Sequence, residues 1–271
     1  MRLLTLFDTH AHLDDPQADE LTVLAQLRDL RAAGWRGAVV AGYGPERFAR
    51  SRELCAAEPL LRRAIGLHPE WLAAAADAAA REAAWHALEA ELDGAAIVAL
   101  GEIGVDRRVR DVFPAAEQQA WLARGLGLAA QRKLPVMLHI VGWHGHALEV
   151  LRQGPLPQGG VVHRFSGAPE LVREYEALGL HMGISLEPRE DPVRRAALVQ
   201  AIAADRLVLE TDWPLHDLSY PESFVKLLDL AAQVAQWRGV DRAELAAQLA
   251  RNAQMLYRLD PPHGCGAQAA E

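Results

Sequence analysis

Only two cysteines, Cys55 and Cys265, occur in the 271 residues. That excludes a disulfide framework and any thiolate-rich zinc module, and a reducing compartment fits such sparing use. Positive charge is also short: 28 Lys and Arg stand against 36 Asp and Glu, for a net charge of −8. No global basic field is available to hold nucleic acid, so any such contact must be local. Lysine is confined to Lys133 and Lys226 while alanine is abundant, a base-composition bias from which no function follows. No apolar run approaches the roughly 18 residues of a membrane span, and residues 1–8 are too short and too soon acidic for a signal peptide. The expectation is a cytoplasmic protein with no membrane contact and no evident obligate protein partner. No linker rich in Gly, Ser or Pro divides the chain, which argues for a single domain over 1–260 followed by a disordered tail at 261–271.

What is present is a regular alternation. Short apolar runs at 3–7, 37–41, 64–67, 97–101, 136–140, 160–163, 180–184 and 207–210 read as strands. Between them lie amphipathic stretches with apolar residues at three- and four-residue spacing, as at 20–33, 117–132 and 196–203. The alanine-rich segment 72–84 reads as one helix of high propensity. Continuous apolar strands buried on both faces imply a parallel sheet covered by helices. Eight such units in about 260 residues match an α/β fold of the closed (β/α)8 TIM-type barrel class. An open doubly wound sheet is the alternative; neither a dinucleotide glycine fingerprint nor a phosphate loop follows the first strand to support it.

The unusual polar residues fall at the ends of these strands, the face on which barrel active sites are built. His10 and His12 follow the first strand and share a face if it continues. His68 follows the third, Glu102 and Asp106 the fourth, and His139, His163 and Asp212 end the fifth, sixth and eighth. Four histidines with Glu102 and Asp212 suit a divalent ion such as zinc, manganese or magnesium. Glu102 is best placed to bridge two ions, and Asp212 to bind one ion and take the nucleophile's proton. Read singly, each residue has a plainer role: a hydrogen-bonded histidine, a glutamate paired with an arginine, an aspartate capping a helix. Coincidence at five strand ends is what argues for a metal centre.

Taken together, Asp8-Thr9-His10-Ala11-His12-Leu13-Asp14, Gly66-Leu67-His68-Pro69, Gly101-Glu102-Ile103-Gly104-Val105-Asp106, Pro135-Val136-Met137-Leu138-His139, His163-Arg164-Phe165-Ser166-Gly167 and Glu210-Thr211-Asp212-Trp213-Pro214 resemble the TatD family of metal-dependent hydrolases, within the amidohydrolase superfamily. The likeness spans 6–257. It implies a barrel with two divalent ions: His10, His12 and Asp212 on one, His139 and His163 on the other, and Glu102 shared. It also implies a nuclease trimming DNA ends, or alternatively an acyl hydrolase of the kind proposed to remove D-amino acids from transfer RNA. A non-catalytic binding barrel is the third class, and retention of the whole ligand set argues against it.

Three departures bear on substrate. Val141 stands where the family usually has arginine, so a phosphate contact is lost unless Trp143-His144-Gly145-His146 replaces it. Arg164 stands in the place of a usual cysteine and either offers charge to the substrate or pairs with an acidic neighbour. Arg107-Arg108-Val109-Arg110 replaces an aromatic residue; it is either a solvated loop or the local basic patch that a phosphodiester needs. Among the tryptophans, Trp71, Trp143 and Trp213 follow strand ends, where one could stack a base, Trp143 being the candidate. His68 is expected at the substrate or leaving group, or behind a ligand.

Overall fold

The computed structural model describes residues 4–94, 96–154, 156–186, 191–214 and 217–259. The expected tail lies outside them, as does Cys265. Eight parallel strands follow one another in chain order, β1 (Leu6–Ala11), β2 (Trp35–Val40), β3 (Leu61–Ile65), β4 (Ile97–Asp106), β5 (Val136–Val141), β6 (Gly160–Val162), β7 (Leu180–Ile184) and β8 (Leu207–Leu209). The helices that return the chain to each next strand cover the outside, and this is the barrel expected from the alternation.

Two layers of side chains hold it together. Ala38 and Val40, Leu138 and Ile140, and Leu207 and Leu209 face the helices, while Val39, Ala64, Ala99, Met137, Val161 and Val208 fill the interior. Alanine and valine dominate this interior, where side chains from all the strands crowd toward one axis, and Met137 is the one large residue among those named. The β8–β1 seam has no ladder pairing among the described residues and is closed by a buried carboxylate instead. Asp8 accepts from the Thr211 amide at 2.9 Å, the Thr211 hydroxyl at 2.6 Å and the Tyr220 hydroxyl at 3.1 Å. The Asp212 amide donates to His10 O at 2.9 Å across the same seam.

Two expectations need correction. The strand containing Glu102 does not stop at Gly101 but runs on to Asp106, and β1 extends to Ala11, so both motifs lie within strands. The alanine-rich segment is not one helix: a short helix (Pro69–Ala74) and a longer one (Ala78–Gly94) are separated where Ala75 turns to an extended conformation and Asp77 accepts the Ala80 amide at 2.8 Å. Alanine propensity favours one continuous helix there, and the Asp77 cap overrides it. No described helix is long and apolar enough to cross a membrane.

Candidate metal centre

Strand alternation delivers the polar residues to one end of the barrel. Inward positions recur every second residue, so the interior residues Ala64, Met137, Val161 and Val208 lead to His68, His139, His163 and Asp212 at even offsets. Glu102 breaks that parity. Leu100 faces the helices, and strict alternation would turn Glu102 outward with it; a register shift between Leu100 and Ile103 turns it inward, with Ile103 and Val105 packed outside. A similar shift between Asp8 and Ala11 brings His10 and His12 inside while Asp8 and Ala11 both face outward. Bulges that re-aim side chains beside functional sites are common.

The donors converge around Glu102, which is 1% exposed. Its Oε2 faces His12 Nε2 at 3.3 Å and His10 Nε2 at 3.7 Å, and Asp212 Oδ1 lies 3.5 Å from His10 Nε2. Its Oε1 faces His163 Nε2 at 2.8 Å and His139 Nδ1 at 3.4 Å. His68 joins this second group, its Nε2 lying 3.0 Å from His139 Nδ1 and 3.9 Å from Glu102 Oε1. Three sets of ligand atoms are close enough to share an ion: His10, His12 and Asp212; His10, Glu102 and His163; and His68, Glu102 and His139. Despite these short approaches, neither Glu102 oxygen is engaged in a hydrogen bond. A buried carboxylate left this way is strongly disfavoured unless a cation faces it, so the residues fit a metal group.

The electrostatics agree. Burial works to raise the Glu102 carboxyl, but His163, His10 and His68 outweigh it and hold the group well below the usual carboxylate range. Burial and the facing His163 push His10 well below its ordinary value. Burial would lower His163 too, yet its contact with Glu102 carries it well above.

Residues behind the cluster fix the imidazoles. His139 Nε2 donates to Asp106 Oδ2 at 2.9 Å, leaving Nδ1 for the centre. Asp106 also takes Arg108 Nε at 2.9 Å; burial raises its carboxyl, but the bonds from His139 and Arg108 hold it below its usual range. His163 Nδ1 lies 3.6 Å from Glu210 Oε1, and Tyr43 stacks on His68 with ring centroids 5.0 Å apart. Sequence reasoning assigned no role to Asp106, Glu210 or Tyr43. Asp106 and Glu210 were within its reach, since each stands an even number of residues from Glu102 or Asp212 on the same strand-end face.

The expected substrate contacts are dispersed. Arg107 is exposed, its side chain lying along Gly142 at the end of β5. Arg108 is committed to Asp106 and to Glu70 at 2.8 Å, and Arg110 lies 3.7 Å from Asp111. The Arg164 guanidinium is 3.2 Å from Asp212 Oδ2, the acidic-neighbour arrangement. Trp143 is part-buried with its ring 5.0 Å from that of His146, while His144 turns away to the Tyr175 hydroxyl at 2.8 Å. Trp71 and Trp213 spend their indole N–H groups on Glu46 and Leu218 O.

The family model described as TatD related DNase matches residues 7–258. A 3'-5' ssDNA/RNA exonuclease TatD of Cronobacter sakazakii is 35% identical over 261 residues, covering 90% of this chain and 92% of the relative. An uncharacterized metal-dependent hydrolase of Escherichia coli, YjjV, is 33% identical over 262 residues, covering 93% and 97%. The crystal structure of that YjjV superposes with a TM-score of 0.81, covering 96% of this chain and 100% of its own at 28% identity in the structural alignment. A TatD family hydrolase of Entamoeba histolytica shares the fold at a TM-score of 0.78 and 17% identity, covering 95% and 99%. The chain belongs to the TatD-related DNase family of metal-dependent hydrolases.

Proposed function

We propose that the protein is a two-ion nuclease that removes nucleotides from the ends of single-stranded DNA in the cytoplasm. The observation that carries this reading is the division of Glu102, one oxygen toward His10 and His12 and the other toward His139 and His163. On this reading His10, His12 and Asp212 would hold one ion and His139 and His163 another, with Glu102 available to both and His68 beside His139. Zinc, manganese and magnesium all suit these donors. Divalent ions bound there acidify water and offset the negative charge that grows on phosphoryl oxygens.

The chain's own residues do the rest. Asp212 takes the proton of the attacking water, with Oδ1 already directed at the histidine pair. Asp106 keeps His139 from rotating, which preserves the spacing that the reaction needs, and the Glu210 carboxylate faces His163 Nδ1 at 3.6 Å. Arg107 has no carboxylate within salt-bridge distance among the described residues, whereas Arg108, Arg110 and Arg164 each have one. It is therefore the cation of this set that is left to attract a phosphodiester to a chain of net charge −8. Trp143 supplies an aromatic surface beyond β5 for a base.

Val141 keeps a second reading in play, an acyl hydrolase, because the same centre can act on a carbonyl carbon. The purified protein should be offered labelled single-stranded DNA, single-stranded RNA, an aminoacyl-tRNA and a neutral ester, each with manganese, magnesium or zinc and again after chelation. Ion-dependent shortening of DNA is expected, lost in Glu102→Gln together with metal in both positions. Cleavage of the ester or aminoacyl-tRNA alone would replace the nuclease reading with the acyl one.

A further inference from the structure

Five non-glycine residues in the described segments have positive φ: Lys133, Arg164, Asp212, Asp217 and Arg258. Lys133 and Arg258 cap helix C-termini, where the left-handed conformation is routine. Arg164 (φ 45°) and Asp212 (φ 52°) instead follow β6 and β8 at the metal centre. Holding a non-glycine side chain there is strained unless the surroundings enforce it. These two strained residues are bonded to each other, Arg164 Nη1 lying 3.2 Å from Asp212 Oδ2.

Both ends of the contact are pinned. The Arg164 amide donates to the buried Glu210 carboxylate, and the next amide, Phe165, donates to Gly183 O at 2.8 Å. On the other side the Asp212 amide donates to His10 O at 2.9 Å, and Thr211 is gripped by Asp8. Both backbones are held, and between them the Arg164 guanidinium reaches Asp212 Oδ2. Oδ2 is occupied by Arg164, and Oδ1 remains 3.5 Å from His10 Nε2 and 3.9 Å from His12 Nε2. Rotation about the last bond of an aspartate is broad and weakly restrained, so a partner on one oxygen decides where the other points.

We infer that Arg164 is a positioning residue that fixes the Asp212 carboxylate, and that it does not serve as the contact to substrate phosphate. The inference rests on the reading of Asp212 as ion ligand and proton acceptor. It divides two roles that charge alone would merge: Arg164 acts through Asp212 on any substrate, while attraction of a polyanion belongs to Arg107.

The test uses the full-length, ion-loaded enzyme with a single-stranded oligonucleotide and a small phosphodiester carrying one charge, bis(p-nitrophenyl) phosphate. For Arg164→Ala, kcat should fall at least about tenfold on both substrates, with KM and the dependence on salt unchanged. Arg164→Lys should recover most of the loss. Arg107→Ala should act differently, raising KM for the oligonucleotide more than for the singly charged substrate and flattening the oligonucleotide's salt dependence. Independently of activity, crystals of the metal-free wild type should contain one orientation of the Asp212 carboxylate and those of Arg164→Ala more than one. A KM increase confined to the oligonucleotide in Arg164→Ala, or an Asp212 that stays fixed without its partner, overturns the inference. If the wild type cleaves neither phosphodiester, the nuclease reading fails, and the Asp212 orientations alone still decide the role of Arg164.

Discussion

At the residue scale, the site is a problem in aiming rings. An imidazole whose second nitrogen is unbound can rotate away from the centre, and each such freedom weakens ion binding. Asp106 removes it for His139 and is itself held by Arg108 and by the Gln118 side chain, which donates to Asp106 O at 3.1 Å. Asp106→Asn preserves shape and removes the charge. We expect it to lower manganese affinity or kcat by about 10- to 100-fold with the fold intact. Calorimetric titration with manganese alongside steady-state kinetics measures both, and an unchanged pair of values would make the Asp106–His139 bond a mere anchor. The residues that converge around Glu102 were legible in the sequence because they are polar groups set at or near strand ends among apolar residues. Asp106 was equally visible yet carried no role, since only the folded register reveals that it faces His139.

At the element scale, the placement of the strands could be read from apolar runs, whereas their parity could not. The bulges at Asp8–Ala11 and Leu100–Ile103 leave no signature in the apolar pattern, yet they decide that His10 and Glu102 face inward. The break between the helices Pro69–Ala74 and Ala78–Gly94 is likewise set by Asp77, a single cap within an alanine run. β7 offers a test of how burial acts on an element. His181 is 4% exposed, its Nδ1 donating to Gly160 O at 3.3 Å, and burial with nearby Arg206 pushes its imidazole down to about 4. The unfolded chain titrates this group near 6.5, so below that pH it binds a proton that the folded barrel refuses. Stability is therefore lost as pH falls through 6.5 and levels off below 4. His181→Asn keeps an N–H donor and cannot titrate. Relative to wild type, the variant should gain about 2 kcal/mol between pH 7 and pH 5. Urea denaturation at several pH values measures that difference, and one that does not change with pH would refute the assignment.

At the scale of the whole molecule, the barrel gathers buried like-natured donors at one end and leaves Glu102 without a hydrogen bond. Folding the chain without ions therefore carries a penalty that ions relieve. The seam between β8 and β1 runs through the same region, because Asp212 and His10 are joined across it by a backbone bond. Ion binding should thus brace the closure of the barrel as well as the reaction. A ligand that binds only the folded state adds about 2.7 kcal/mol when present at 100 times its Kd. For a chain of this size, each kcal/mol raises Tm by roughly 2–4 °C. Manganese or zinc at that excess should then raise Tm by roughly 5–10 °C over the chelated protein. The net charge of −8 contributes a weak, salt-screened attraction for any cation, so the measurement belongs at physiological ionic strength with calcium as the control. On the proposed two-ion reading, Glu102→Gln removes the shared ligand charge and should lose most of the shift, whereas Asp106→Asn should retain part. Equal shifts in wild type and Glu102→Gln would mean that the ions stabilise the barrel from somewhere other than this centre.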